Sequence, residues 1–378
     1  MSSEKRYYSA QPILDYAESI ECPFVGIAGG KGNGKTYDII RIGLNRRIKD
    51  GLLMRYLRRY AESIKPKAIQ SLCKPHRQTL INLTQGRYND FQYFQSRFWI
   101  VRRDESGKIV EKDPEPFIVC NALNSVEAFT GTDEGECSMI FYDEFLSREK
   151  ELQDEYYNLM IFHSNCIRNR TNRYVPLILV GNTVTRNSCL ISEFGVNLYD
   201  MKKGEITVIK NNKGEPKIVF EYCDEVEIMQ EAADTYYNRF SDNDRIKMIY
   251  KGDWTIGNYP HLPKQIITSS SMLGRIKIIA PSNKAICFEY RSNINNGLFG
   301  YVHSYDSDIL PKLCTLINKQ MLLKNDTFNY LPQRGIFRKF IALVYTRNVF
   351  FESCEIGEQF RDFLKNFQGA SAISNIYK

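Results

Sequence analysis

The chain has 378 residues, 43% hydrophobic and 25% charged, with a formal net charge of +7. That is room for two medium domains. No run of 18 uncharged apolar residues occurs, and the first twenty residues carry charges throughout. A membrane span and a secretory signal are therefore not expected. The ten cysteines form no C-x-x-C pair, and with four histidines no zinc spacing is visible. Reduced core thiols are the expectation.

In chain order, Phe24–Ala28 reads as a buried strand. It runs into Gly29-Gly30-Lys31-Gly32-Asn33-Gly34-Lys35-Thr36. A helix then carries Ile39, Ile40, Ile42 and Leu44 on a broad apolar side. Leu52–Leu57 is a second strand. Tyr93–Arg102 and Lys108–Cys120 read as a hairpin. Ser138–Tyr142 is a third buried strand, followed by a helix from about Lys150 to Arg168. Val175–Val180 is a fourth strand, ending in Gly181-Asn182. Alternating strands and helices predict a mainly parallel sheet covered on both faces. A hairpin, Ile206–Lys210 with Lys217–Tyr222, closes this half.

The polar stretch Glu225–Lys251, followed by Gly252, Gly257, Pro260 and Pro263, reads as a linker. Beyond it, Arg275–Ile279, Ala285–Tyr290, Gly297–Tyr301 and Phe340–Phe351 read as strands, and Cys354–Phe367 as a last helix. The expected division is residues 1–224, a helical linker 225–258, and a second domain 259–378.

The glycine-lysine stretch matches G-x-x-x-x-G-K-[ST] between a strand and a helix, the context the motif demands. Its N–H groups and the helix N-terminus would cradle phosphate, Lys35 would reach the β- and γ-phosphates, and Thr36 would ligate Mg²⁺. The third strand ends in Asp143-Glu144. There Asp143 would hold the metal and Glu144 would polarise the attacking water. The competing acidic run Asp133–Glu136 has no apolar strand before it and reads as loop. Arg168 closes a helix. It is either a cation favoured by the helix dipole or a trans-acting arginine finger. Asn182, at a strand tip, either senses the γ-phosphate or is an ordinary turn residue.

Charge is uneven. Arg41 to Arg103 holds 15 Lys and Arg against 3 Asp and Glu, so the remainder of the chain carries 7 − 12 = −5. Tyr56, Tyr60, Tyr88, Phe91, Tyr93, Phe94, Phe98 and Trp99 interleave with the cations. The pattern points to a nucleic-acid backbone, with Arg55, Arg58, Arg59, Lys65 and Lys67 as candidate contacts; a solvated charged face is the plainer alternative. Tyr7, Tyr8 and Gln11 are candidates for an adenine pocket or for a docking arm.

The order GGKGNGKT, MRYLRRY, IFYDEFLSREK, IRNR, LVGN resembles the genome-packaging ATPases of small protein-primed tailed phages, the phi-twenty-nine type, from Tyr7 to about Asn187. The RRY after the second strand and the DEF-x-x-REK run are its specific parts. The resemblance implies an α/β P-loop NTPase domain of the additional-strand (ASCE) class, followed by a smaller RNase H-like α/β domain. It implies a ring, pentameric by resemblance, at the capsid portal in the host cytoplasm. That ring would drive double-stranded DNA inward by hydrolysing ATP with Mg²⁺, with or without a scaffold RNA. Gly29, Gly34, Lys35 and Thr36 fall on the phosphate loop, Asp143 and Glu144 on the acidic pair, Arg168 on the trans-acting arginine and Asn182 on the coupling motif. Lys31 stands where the family usually has Arg. The segment Ala61 to Arg103 is longer than the resemblance leads one to expect. In the back half Glu289 is the one acid of its strand, with Asp306 and Asp308 further on. That sparse set favours a non-cutting DNA- or portal-binding module over a two-metal nuclease. Another nucleic-acid translocase or helicase, a nucleotide kinase and a nucleotide-gated scaffold are the rival readings.

Overall fold

A computed structural model of the chain describes residues 7–129, 136–147, 151–152, 154–168, 174–186, 188–198, 200–224, 259–279, 285–294, 297–305, 314–317 and 339–365. The chain divides into two compact units. The first holds most of residues 1–254; the second holds 255–378 with two short earlier segments. The expected linker 225–258 lies outside the described residues, as do Asp306 and Asp308.

The first unit is built on a ten-stranded sheet in the order β3-β4-β6-β2-β7-β8-β1-β10-β9, with β5 paired to β4. The strands are β1 Phe24–Gly29, β2 Leu53–Arg58, β3 Asp90–Phe94, β4 Arg97–Arg103, β5 Ile109–Lys112, β6 Ile118–Ala122, β7 Cys137–Asp143, β8 Leu177–Asn182, β9 Glu205–Lys210 and β10 Pro216–Tyr222. From β6 to β10 every neighbouring pair is parallel. β1, β6 and β7 are buried along their whole length, as expected of strands covered on both faces. β8 lies between β1 and β7, the arrangement after which the additional-strand class is named.

Helix α1, Gln11–Ser19, was not anticipated from the sequence; it buries Ile13, Leu14 and Ala17. Helix α2, Lys35–Asp50, buries Ile39, Ile40, Ile42 and Leu44 as its periodicity predicts. The predicted helix from Lys150 begins later, at Glu155, and ends at Ile167.

Three expectations are corrected. Tyr93–Arg102 is not one strand: β3 ends at Phe94, β4 begins at Arg97, and the two pair antiparallel. Lys108–Cys120 is not one strand of a hairpin. β5 and β6 each pair antiparallel with β4, at different ends of it, and β6 also runs parallel to β2 on its other side. Pro114 and Pro116, which have no N–H to donate to a ladder, separate the two strands. Phe340–Phe351 is not one strand either. Residues 339–345 are helical and only Val349–Phe351 is extended. Phe340, Leu343 and Val344 are its buried residues. That is helical spacing, written in residue types that usually favour strands.

The second unit holds a five-stranded sheet, β14-β11-β12-β13-β15. Its strands are β11 Ser271–Ile279, β12 Ala285–Asn293, β13 Gly297–Ser304, β14 Cys314–Ile317 and β15 Val349–Phe351. β11, β12 and β13 form an antiparallel meander with β14 parallel to β11. β15 joins parallel to β13 at the other edge. One sheet face carries Ile276, Ile278, Ile286, Phe288 and Val302 into a core with Phe340, Phe351 and Phe360. Among the described residues no helix is long and apolar enough to cross a membrane. Cys22, Cys73, Cys120, Cys137, Cys166, Cys189, Cys223 and Cys287 are buried thiols, and Cys354 is a partly exposed one.

Candidate active site

Register places the motif residues side by side. Gly29, the last residue of β1, pairs with Asn182, the last of β8, and Asp143, the last of β7, pairs with Val180 of β8. The loop Gly30 to Gly34 leaves the sheet at these carboxyl ends, where ligands of parallel α/β sheets bind. Gly34 takes φ +98° at the N-cap of α2, a conformation open to glycine and strained for other residues. A side chain at Gly29 would meet Cys223 Cβ at 2.8 Å and Asn33 Nδ2 at 3.0 Å. Lys31 and Gly32 are exposed at the tip of the loop, and Asn33 is buried.

Lys35 is 4% exposed. Its ammonium donates to Gly30 O at 2.7 Å, Gly29 O at 3.1 Å and Asn33 Oδ1 at 3.0 Å, with Asn182 Oδ1 at 3.5 Å. Burial holds its pKa down to about 8, against the pull of Cys223 and Asp143. The side chain is therefore part of the loop's internal framework rather than an exposed arm.

Thr36 donates its hydroxyl to Asp143 Oδ1 at 3.2 Å. Tyr56 donates to Asp143 Oδ2 at 2.8 Å, and Arg58 NH1 lies 3.3 Å from the same oxygen. Burial pushes the Asp143 carboxyl above the usual range, while Arg58 and Tyr56 pull it back. Glu144 is exposed and has φ +60°, a left-handed conformation that non-glycine residues seldom adopt. Its carboxylate is paired with Arg58 NH2.

The N-terminal residues dock on this loop. Tyr8 donates its backbone N–H to Asn33 O at 3.2 Å and its hydroxyl to Glu221 Oε2 at 2.6 Å. Ala10 N–H reaches Asp38 Oδ2 at 2.8 Å. Tyr7 stays exposed beside Gly34, and Gln11 opens α1, donating to Asp15.

The basic block is redistributed. Arg55 is buried in β2. Arg59 is buried too, donating to Glu155 Oε2 at 2.8 Å, Glu155 Oε1 at 3.0 Å and Phe145 O at 2.7 Å. Arg58 is turned onto the acidic pair. Arg55 and Arg59 are thus withdrawn from the surface, and the half-buried Arg58 is paired with acids. Lys65 and Lys67 are exposed. Other cations meet acids: Arg47 meets Asp113, Arg77 and Arg103 meet Asp90, and Arg87 and Arg102 meet Glu111. Tyr56, Tyr88 and Phe98 belong to the core, whereas Phe94 is exposed.

Arg168 is exposed at the C-cap of Glu155–Ile167. Among the described residues no contact joins it to the loop or to the acidic pair. The sequence reading missed the roles of Tyr56 and Arg58. The signal was their i, i+2 spacing near the end of a buried strand, which puts both on one face.

No protein-family model matches the chain, and no curated protein matches it by sequence. Solved structures do. The Phi-28 gp11 DNA packaging motor superposes with a TM-score of 0.51 at 15% identity, over 97% of this chain and 99% of that one. The chain of the bacteriophage Phi-29 viral genome packaging motor assembly gives 0.51 at 16% identity, over 96% and 99%. The chain has a packaging-motor fold. The likeness extends over both units of this chain.

Proposed function

We propose that the protein is an ATPase that drives double-stranded DNA into a viral procapsid. The observation that carries this reading is the convergence of Lys35, Thr36, Asp143 and Asn182 at the ends of three adjacent strands, in a fold shared with packaging motors. The residues fit a magnesium nucleotide. The Thr36 hydroxyl and the Asp143 carboxylate are hard oxygen donors 3.2 Å apart, and magnesium prefers such donors. The loop's N–H groups and Lys35 suit polyphosphate. Bound Mg²⁺ neutralises developing phosphate charge. The chain's own residues do the rest: Lys35 orients the β- and γ-phosphates, Glu144 takes a proton from the attacking water, Asn182 reads the γ-phosphate, and Arg168 completes a neighbour's site.

The same reading makes the chain a member of a homo-oligomeric ring at the portal vertex, with the pentameric count and any scaffold RNA following from the resemblance alone. Lys65 and Lys67 are the cations of the original set left to meet DNA phosphates. The test is ATP turnover with and without double-stranded DNA, in the wild type, Lys35→Ala and Glu144→Gln. DNA-stimulated hydrolysis lost in both variants is expected. Turnover undisturbed by either change would reject the site, and turnover indifferent to DNA would favour a nucleotide kinase.

A further inference from the structure

In the second unit, Cys287 and Glu289 lie two residues apart on β12 and so share a face, opposite the one that enters the core. His303 of β13 is the direct cross-strand partner of Cys287. The thiol sulfur, a carboxylate oxygen and an imidazole nitrogen all lie within 4.8 Å of one another. We propose that Cys287, Glu289 and His303 bind one divalent transition-metal ion of the zinc class.

Four features carry this. The imidazole is already oriented: His303 Nδ1 lies 2.7 Å from Ser304 O. Donation of Nδ1–H to that carbonyl fixes the ring, and release of the proton that Nε2 shares with Glu289 Oε1, 3.3 Å away, would turn the Nε2 lone pair to the ion. A ligating histidine commonly has this outer hydrogen bond. Secondly, the carboxylate is 2% exposed and fixed on both oxygens, by Arg275 Nε on Oε1 and Arg291 Nε on Oε2, each at 2.6 Å. Arg291 is itself tied to Ile267 O at 2.7 Å. Each carboxylate oxygen has a second lone pair, so both pairings leave room for a metal bond.

Thirdly, the donor set selects the ion. A thiolate with an imidazole and one carboxylate suits zinc rather than magnesium or calcium, which require several oxygens. Donors of a tetrahedral zinc site sit roughly 3.3–3.8 Å apart, from bond lengths of about 2.0–2.3 Å. Small side-chain rotations would close 4.8 Å to that range. Lastly, a thiolate and a carboxylate would bring two negative charges to the ion, against the positive charge of Arg275 and Arg291 that already pair with that carboxylate. Water would complete the tetrahedron. The bound ion would clip β12 to β13 near the end of the ladder away from their turn.

The competing reading is a plain His303–Glu289 ion pair with Cys287 as a bystander. The two separate in a cobalt titration of the chelator-treated full-length chain. One Co²⁺ per chain is expected, with a thiolate-to-cobalt charge-transfer band and displacement by Zn²⁺. The hard-oxygen site at Thr36 and Asp143 cannot produce that band. Cys287→Ser should abolish it, and His303→Gln should weaken binding by about tenfold or more. Cys354→Ser should leave it intact, although that thiol lies 3.4 Å from His261 Nε2. Absence of the band, its survival in Cys287→Ser, or its loss in Cys354→Ser would overturn the assignment. Should Cys287→Ser fail to fold, zinc-edge X-ray absorption on the wild type decides. One sulfur with nitrogen and oxygen neighbours is expected, and none or two would refute the site.

Discussion

Arg58 holds Glu144. The guanidinium at the end of β2 pairs with the Glu144 carboxylate through one nitrogen, while the other lies 3.2 Å from Tyr56 Oη and 3.3 Å from Asp143 Oδ2. A carboxylate oxygen bonded to a guanidinium is not free to accept a hydrogen bond from water along the same direction. Glu144 therefore has to leave Arg58 before it can act on water. Arg58→Gln keeps a hydrogen-bonding side chain without the charge. It should raise DNA-independent ATP turnover several-fold, read in a steady-state assay. Unchanged or reduced turnover would mean that Arg58 only supports the acidic pair.

Lys35 has a measurable pH signature. Its pKa is lowered to about 8 by burial, so the ammonium loses its proton as pH rises through that value, well before an ordinary lysine would. Nucleotide phosphates favour the charged form. Affinity for a non-hydrolysable ATP analogue should hold up to about pH 8, then fall, approaching tenfold per pH unit. Calorimetry between pH 7 and 9.5 checks this. A profile identical to that of Lys35→Ala would remove Lys35 from the binding site.

Arg59 and Glu155 form a buried pair, with Glu155 1% exposed. Tyr142 Oη and Leu152 N also donate to this carboxylate, at 2.8 and 3.0 Å. Arg59→Ala would strand a buried negative charge and cost about 3–5 kcal/mol. Adding Glu155→Gln, which still accepts from Tyr142, should restore part of it. Chemical denaturation of the two variants tests this. A stable Arg59→Ala that only weakens DNA binding would return Arg59 to the DNA-contact set.

His76 predicts an acid sensitivity. It is buried against Tyr37, and burial, with Arg41 nearby, lowers its pKa to about 4 while Asp38 opposes. The unfolded chain then binds the proton more readily than the folded one. The stabilising contribution is complete above pH 6.5 and is lost as pH falls toward 4, at no more than about 1.4 kcal/mol per pH unit. His163 is shifted in the same direction by burial. The comparison is therefore wild type against His76→Phe by thermal unfolding at pH 7, 6, 5 and 4. Parallel curves would contradict the assignment.

Arg168 tests the ring. If it serves a neighbour's site, Arg168→Ala should bind ATP normally and hydrolyse it on the order of 10³-fold more slowly. Mixing it with Glu144→Gln creates interfaces holding an intact Glu144 beside an intact Arg168, so activity should partly return. No recovery at ring-forming concentrations, with both variants folded and binding ATP, would leave Arg168 as a helix cap favoured by the dipole.

The phosphate loop, the Asp143-Glu144 pair and the strands that present them were legible in the sequence. Their local rules are strict: glycines where φ is positive, apolar runs where a strand is buried on both faces, carboxylates at a strand's end. The helix at 339–345 was not legible, because its aromatic and β-branched composition masked a helical spacing that only burial reveals. Nor was the fate of the basic block. Fifteen cations in sequence suggest one charged surface. In space Arg59 faces Glu155 from 96 residues away, Arg58 faces Glu144 from 86, and Arg47 faces Asp113 from 66. Composition counts charges along the chain, whereas folding selects their partners, because a buried guanidinium without an acid is too costly to keep. The same holds for Cys287 and His303, which become neighbours only through the register of β12 against β13.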